Sequence, residues 1–143
     1  MWKLTTIALA TAALAMGACA HSYHDAAQAE REAALSRAER DYQQAMARCE
    51  AYSGNAEDVC EAEAKAQRAK DEASAKAEYK DTPKAQYDER VAAAEADYSV
   101  ARERCDELAG DSKEVCVKEA KAALARAKAD ANAAYSDGVG SNY

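Results

Sequence analysis

Residues 48–60 read RCEAYSGNAEDVC, and residues 104–116 read RCDELAGDSKEVC. Each copy has a cysteine near both ends and a glycine between them. Cys49 and Cys105 lie 56 positions apart, as do Cys60 and Cys116, Gly54 and Gly110, Val59 and Val115, Tyr42 and Tyr98, and Tyr79 and Tyr135. Glu63-Ala64-Lys65-Ala66 returns as Glu119-Ala120-Lys121-Ala122 without a gap. The chain is therefore read as two copies of one unit, residues 27–82 and 83–138.

Working outward from the cysteines, each unit reads as a helical hairpin. Leu35, Ala38, Tyr42, Ala45, Cys49 and Tyr52 recur three and four residues apart. Tyr87, Val91, Ala94, Tyr98, Ala101, Cys105 and Leu108 repeat that spacing in the second unit. This is a heptad-like seam with the cysteine on it. Gly54 and Gly110 then supply the left-handed residue that ends a helix. Asn55 and Asp111 follow as expected N-caps, with Asp58 and Glu114 three residues on, as in a capping box. The second helices run to about Tyr79 and Tyr135. Their seams are thinner: Val59, Ala66, Ala69 and Ala73 in one, Val115, Ala122, Ala125 and Ala129 in the other. Between the units, Thr82 reads as a cap and Pro83 as a first helical position. The expected fold is all-α: two tandem antiparallel hairpins with coiled-coil-like alanine seams. They could close into an up-and-down four-helix bundle or lie jointed end to end. Ser136 to Tyr143 reads as disordered, with residues 139–143 as a tail beyond the second unit.

Cys49 sits about one turn before the glycine and Cys60 about one turn after it. Helices that fold back on each other bring these sulfurs together, so the expected bonds are Cys49–Cys60 and Cys105–Cys116. Four cysteines allow three connectivities, and free thiols or metal ligands are the rival reading. Closing a loop of about a dozen residues stabilises by roughly 3 kcal/mol in the chain-entropy model. Such staples suit this composition. Alanine fills about 40 positions, Phe is absent and there is one Trp. A buried methyl contributes only about 0.8 kcal/mol against chain entropy.

The first twenty residues, MWKLTTIALATAALAMGACA, read as a secretory signal peptide: a basic Lys3, an apolar run, then small residues. The run covers about 13 residues, short of the roughly 20 that a membrane span needs. Met16-Gly17-Ala18-Cys19 resembles the lipobox of bacterial lipoproteins, which implies an acylated Cys19 and, with Ala20 following it, sorting to the outer membrane. Ala18-Cys19-Ala20 equally fits ordinary cleavage before His21. Both routes leave four of the five cysteines for pairing, in a compartment where disulfides persist. Residues 21–26 read as a mobile leader before the first hairpin.

Charged residues make up 31% of the chain, with a net charge of −7. That balance argues against nucleic acid as a partner, since binding it needs clustered Lys and Arg. His21 and His24 in the leader could ligate copper or zinc. No histidine lies within the helices to activate a nucleophile, and no Gly-rich phosphate loop is present. The expectation is therefore neither an enzyme nor a cofactor protein. Tyr98-Ser99-Val100-Ala101-Arg102-Glu103-Arg104-Cys105-Asp106 and Val115-Cys116-Val117-Lys118-Glu119-Ala120-Lys121-Ala122 resemble segments of small exported Ala/Lys/Glu-rich repeat proteins of Gram-negative bacteria, often labelled TolA-like cell-envelope proteins. The resemblance implies an envelope location and no catalytic residue. The expected role is a periplasmic or outer-membrane-anchored structural or interaction module. Its partner would be another envelope protein or a second copy, and only a lipid anchor would touch the membrane. Alternatives are a metal-binding stress protein using the His leader, or a holdase-like chaperone.

Overall fold

The computed structural model describes residues 15–140, and the side chains of residues 23–139. Four helices follow one another: α1 (Ala15–Cys49), α2 (Asn55–Lys80), α3 (Pro83–Cys105) and α4 (Gly110–Gly140). At 1.5 Å per residue they are about 35–50 Å long. Cys49 is bonded to Cys60, with Cα atoms 5.5 Å apart, and Cys105 to Cys116, at 5.7 Å. The fold is thus two disulfide-stapled antiparallel hairpins. Formed disulfides place the chain in an oxidising compartment. No helix among the described residues is long and apolar enough to cross a membrane.

The hairpins neither close into a bundle nor lie end to end. α1 packs on α2, α2 on α3 and α3 on α4, and among the described residues no other pair of helices is in contact. The result is an open row. Its cause is visible in α2, where Ala62, Ala64 and Ala66 are all buried, as are Ala75 and Ala77. Residues two apart on an α-helix point about 200° from each other, so alternating alanines give a helix two packable faces. Ala75 lines a furrow with Ala34 and Ala38 of α1, whereas Ala77 lines one with Ala85 and Ala92 of α3. The link between the hairpins is correspondingly tight. Asp81 takes a left-handed φ of 43° and donates its N–H to the Ala77 carbonyl at 2.8 Å. Thr82 then accepts from the Ala85 N–H at 3.2 Å, with Pro83 as the first residue of α3.

Every buried side chain among those described is alanine or cysteine. Leu35, Tyr42, Val91, Tyr98, Leu124 and Tyr135 are half-buried and flank this thin core. The first-helix seams fall where their spacing puts them, except that Tyr52 and Leu108 are 56% and 43% exposed. The second-helix seams need correction. In α4, Ala120 and Ala131 are buried, while Ala122, Ala125 and Ala129 are exposed and Val115 is 52% exposed. The bonded Cys116 fixes which face of α4 meets α3, and one turn on from it comes Ala120, not Ala122. In α2 Ala69 is exposed, and Ala66 belongs to a second face, opposite Ala64.

Two further expectations are corrected. The stretch 21–26 lies within α1, because alanine-rich sequence flanks it and no proline interrupts it. α4 continues through Ser136 and Val139 to Gly140, with Ser136 Oγ donating to the Asn132 carbonyl at 3.0 Å. Residues 141–143, and residues 1–14 of the expected signal peptide, lie outside the described residues.

Candidate functional site

The antiparallel row brings both stapled necks to one end of the molecule. The α2–α3 turn and the C-terminus of α4 lie at the other. Each neck is built the same way. α1 ends at Cys49 and α3 at Cys105, and the turn tightens as the Tyr52 N–H reaches the Cys49 carbonyl at 2.9 Å and the Leu108 N–H reaches that of Cys105 at 3.1 Å. Cys49 and Cys105 are 1% and 0% exposed, and their partners Cys60 and Cys116 are half-buried.

Gly54 (φ 61°) and Gly110 (φ 56°) open the following helices; they do not end the preceding ones. The Gly54 carbonyl accepts from the N–H groups of Glu57 and Asp58 at 2.9 and 3.1 Å. Gly54 is thereby the N-cap itself, and Asn55 is displaced into the helix, where it makes no side-chain cap bond. Asp111 likewise lies in the first turn of α4, one residue past Gly110. A Cβ at either glycine would meet nothing within 4 Å. The requirement for glycine is therefore conformational: a positive φ disfavours any side chain.

The two apolar side chains at repeat-equivalent positions in the necks, Tyr52 and Leu108, face solvent. Val115 adds a third exposed apolar group on the first turns of α4. Just beneath the necks Arg104 of α3 bonds Glu63 of α2 at 2.5 Å, and one to two turns further down Lys70 of α2 pairs with Asp97 of α3. These bridges cross between hairpins and hold the necks side by side. Neck two carries its own bridge, Lys113 to Asp106 at 2.9 Å. Along the hairpins the charges pair mostly across exposed edges. Arg68 bonds Glu72 at 2.9 Å and Glu39 at 3.2 Å, and its guanidinium lies 4.9 Å from the centre of the Tyr42 ring. The Glu72 hydrogen bond, with Glu39 beside it, raises the Arg68 pKa. Asp88 similarly raises that of Lys84.

His24 lies on α1 beside Tyr79 of α2. Its Nε2 lies 3.1 Å from the Tyr79 hydroxyl, and Arg31 lies 5.3 Å over the same ring. The expectations for Cys19 and for the other leader histidine, His21, fall outside the described side chains. Among the described residues no three His, Cys, Asp or Glu side chains gather into a metal-sized cluster. A furrow of about 350 Å³ between α2 and α3 has an alanine floor and a rim of Glu72, Lys76, Lys80, Asp88 and Glu89.

Sequence reasoning missed Glu63, Lys70, Asp97 and Arg104. Their signal was the alternation of alanine in Ala62-Glu63-Ala64-Lys65-Ala66 and Ala73-Ser74-Ala75-Lys76-Ala77, which gives α2 a second packing face. Comparison with known proteins adds no relative: no family model, curated protein or solved structure matches the chain.

Proposed function

We propose that this chain is a non-catalytic envelope protein that works as an interaction module, with the stapled end as its working surface. One observation carries the reading. Both necks project at the same end and present Tyr52 and Leu108, at equivalent positions, to solvent. Exposed apolar groups on covalently rigid turns lose little freedom when a partner covers them, which favours binding. Export with acylation at Cys19 would put this surface about one helix length from the membrane. The charged sides of the row keep the remaining surface soluble.

Site-specific photocrosslinking in the periplasm tests this. Crosslinkers placed at Tyr52 and Leu108 should capture one discrete partner, and one at Arg90, an exposed position of α3, should not. The double substitution Tyr52→Ser with Leu108→Ser should abolish capture by a crosslinker at neighbouring Ser53 while thermal unfolding stays unchanged. Equal capture from all positions would remove the stapled end as the working surface.

A further inference from the structure

The α2–α3 contact has an unused twin. α4 repeats α2 at an offset of 56 positions, and α1 repeats α3 in the same way. The face of α2 that α3 covers carries Ala66, Ala73 and Ala77, with Glu63 and Lys70 bonded to Arg104 and Asp97. On α4 the same places hold Ala122, Ala129 and Ala133, with Glu119 and Arg126. All three alanines are exposed there, and among the described helices only α3 packs on α4. On α1 the counterparts of Arg104 and Asp97 are Arg48 and Asp41, and the counterpart of Ala85 is Ala29, which is also exposed. None of Glu119, Arg126, Arg48 and Asp41 has a side-chain ion pair or hydrogen bond among the described residues.

We propose that α4 docks against α1 of a second copy of this chain, repeating the α2–α3 contact head to tail. Glu119 would meet Arg48 of the next copy and Arg126 would meet its Asp41, the charge order already used inside the chain. This deepens the interaction-module reading by naming one partner, on a surface distinct from the stapled end. Bulkier polar residues set the contact apart from its internal model. Arg40 and Gln44 on α1 stand where α3 has Ala96 and Val100, and Lys118 on α4 stands where α2 has Ala62. These longer polar side chains make the intermolecular contact wetter and reversible, where the internal one is permanent. A head-to-tail contact leaves a free face at each end, so copies add until a ring closes or a filament grows.

Sedimentation velocity of the exported protein over a rising concentration series, at low salt, tests the proposal. The native chain should sediment faster as concentration rises. Asp41→Lys alone and Arg126→Asp alone should each weaken association by roughly tenfold, since a like-charge contact replaces a pair. Asp41 shares its furrow with Asp71, so lysine there does not threaten the fold, and circular dichroism checks this. Mixed in equal amounts, the two variants form the native Arg126–Asp41 pair at one contact and a charge-reversed pair at the next, so association should recover toward that of the native chain. Arg40→Ala, which restores the α3-like residue, should strengthen association. If Arg126→Asp lowers helicity, Arg48→Glu and Glu119→Lys carry the same test. A native chain that stays monomeric throughout would overturn the proposal. So would self-association indifferent to Asp41→Lys, which would mean that α4 pairs with something other than α1. In either case a partner crosslinked at Tyr52 would leave the interaction-module reading standing.

Discussion

Above its staple the first hairpin closes with Arg68, which pairs with Glu39 and lies over Tyr42. At the equivalent place in the second hairpin stands Leu124, half-buried, and Glu95 pairs instead with Lys128, one turn further along α4, at 2.6 Å. The necks are alike in sequence, in turn and in cystine, yet the helices beyond them are gripped differently. A repeat can therefore hold its covalent part constant and exchange the weak contacts around it. Each alanine seam contributes so little that several arrangements of flanking side chains suffice.

The largest expected effect comes from taking the staples away. Cys49→Ala with Cys60→Ala, or Cys105→Ala with Cys116→Ala, should each destabilise by about 3 kcal/mol. Thermal unfolding followed by circular dichroism measures the loss. Hydrogen exchange should show it concentrated in the terminal helix of the affected hairpin, which has only one neighbour among the described helices. Exchange spread evenly over all four helices would mean that the hairpins do not act as separate units.

Next in size is the contrast between α2 and α4. Ala66→Glu places a carboxylate in the α2–α3 seam at a position only 5% exposed and should cost about 2–3 kcal/mol. Ala122→Glu, its repeat counterpart, is solvent-exposed and should stay within about 0.5 kcal/mol. Equal losses at the two sites would break the claim that one face of α4 is free within the chain.

That contrast also marks what was legible in the sequence. The cysteine–glycine–cysteine phrase is local and repeated, so it specified hairpins, necks and disulfides. The seam of α1 and α3 was legible because Leu35, Tyr42, Val91 and Tyr98 mark it with large side chains. In α2 and α4 alanine occupies nearly every apolar position, and a methyl group at all candidate positions does not single out one face. The register there is fixed by where Cys60 and Cys116 point, which requires the bonded geometry. The caps misled for a related reason. Asn55 and Asp111 are good N-cap residues, but the Gly54 carbonyl already starts α2, and α4 already begins at Gly110, one residue before Asp111. Tyr52 and Leu108 continue the heptad spacing on paper. In the structure the helix has ended three residues earlier, so they leave the seam and become the exposed groups of the candidate site.

A smaller effect attaches to the side chains that distinguish the hairpins. Arg68→Ala removes a half-exposed ion pair with Glu39 and a cation–π contact with Tyr42, and the loss should fall well short of that at Ala66. Arg68→Leu copies the second hairpin's choice and should recover part of that loss through apolar burial. Chemical denaturation with and without added salt separates the two contributions. Salt should shrink the difference between the native chain and Arg68→Leu, and leave the difference between Arg68→Leu and Arg68→Ala unchanged.

The smallest difference lies at Lys65 and its counterpart Lys121. Lys65 bonds Glu61 one turn back at 2.8 Å, whereas the residue one turn before Lys121 is Val117. The Glu61 hydrogen bond raises the Lys65 ammonium above its ordinary value of 10.5. A group whose pKa is higher folded than unfolded stabilises fully below the unfolded value and loses that contribution as pH rises through the folded one. The pair should therefore help at neutral pH and fade above pH 10.5. Its partners are largely exposed, so the effect is about 0.3 kcal/mol. Glu61→Gln should bring the Lys65 titration, followed by NMR of its side-chain nitrogen, back toward the ordinary range, and Val117→Glu should give Lys121 the same upward shift. If Lys121 gained nothing from the new carboxylate, the two second helices would differ in backbone or side-chain geometry at this level and not only in the residue one turn back.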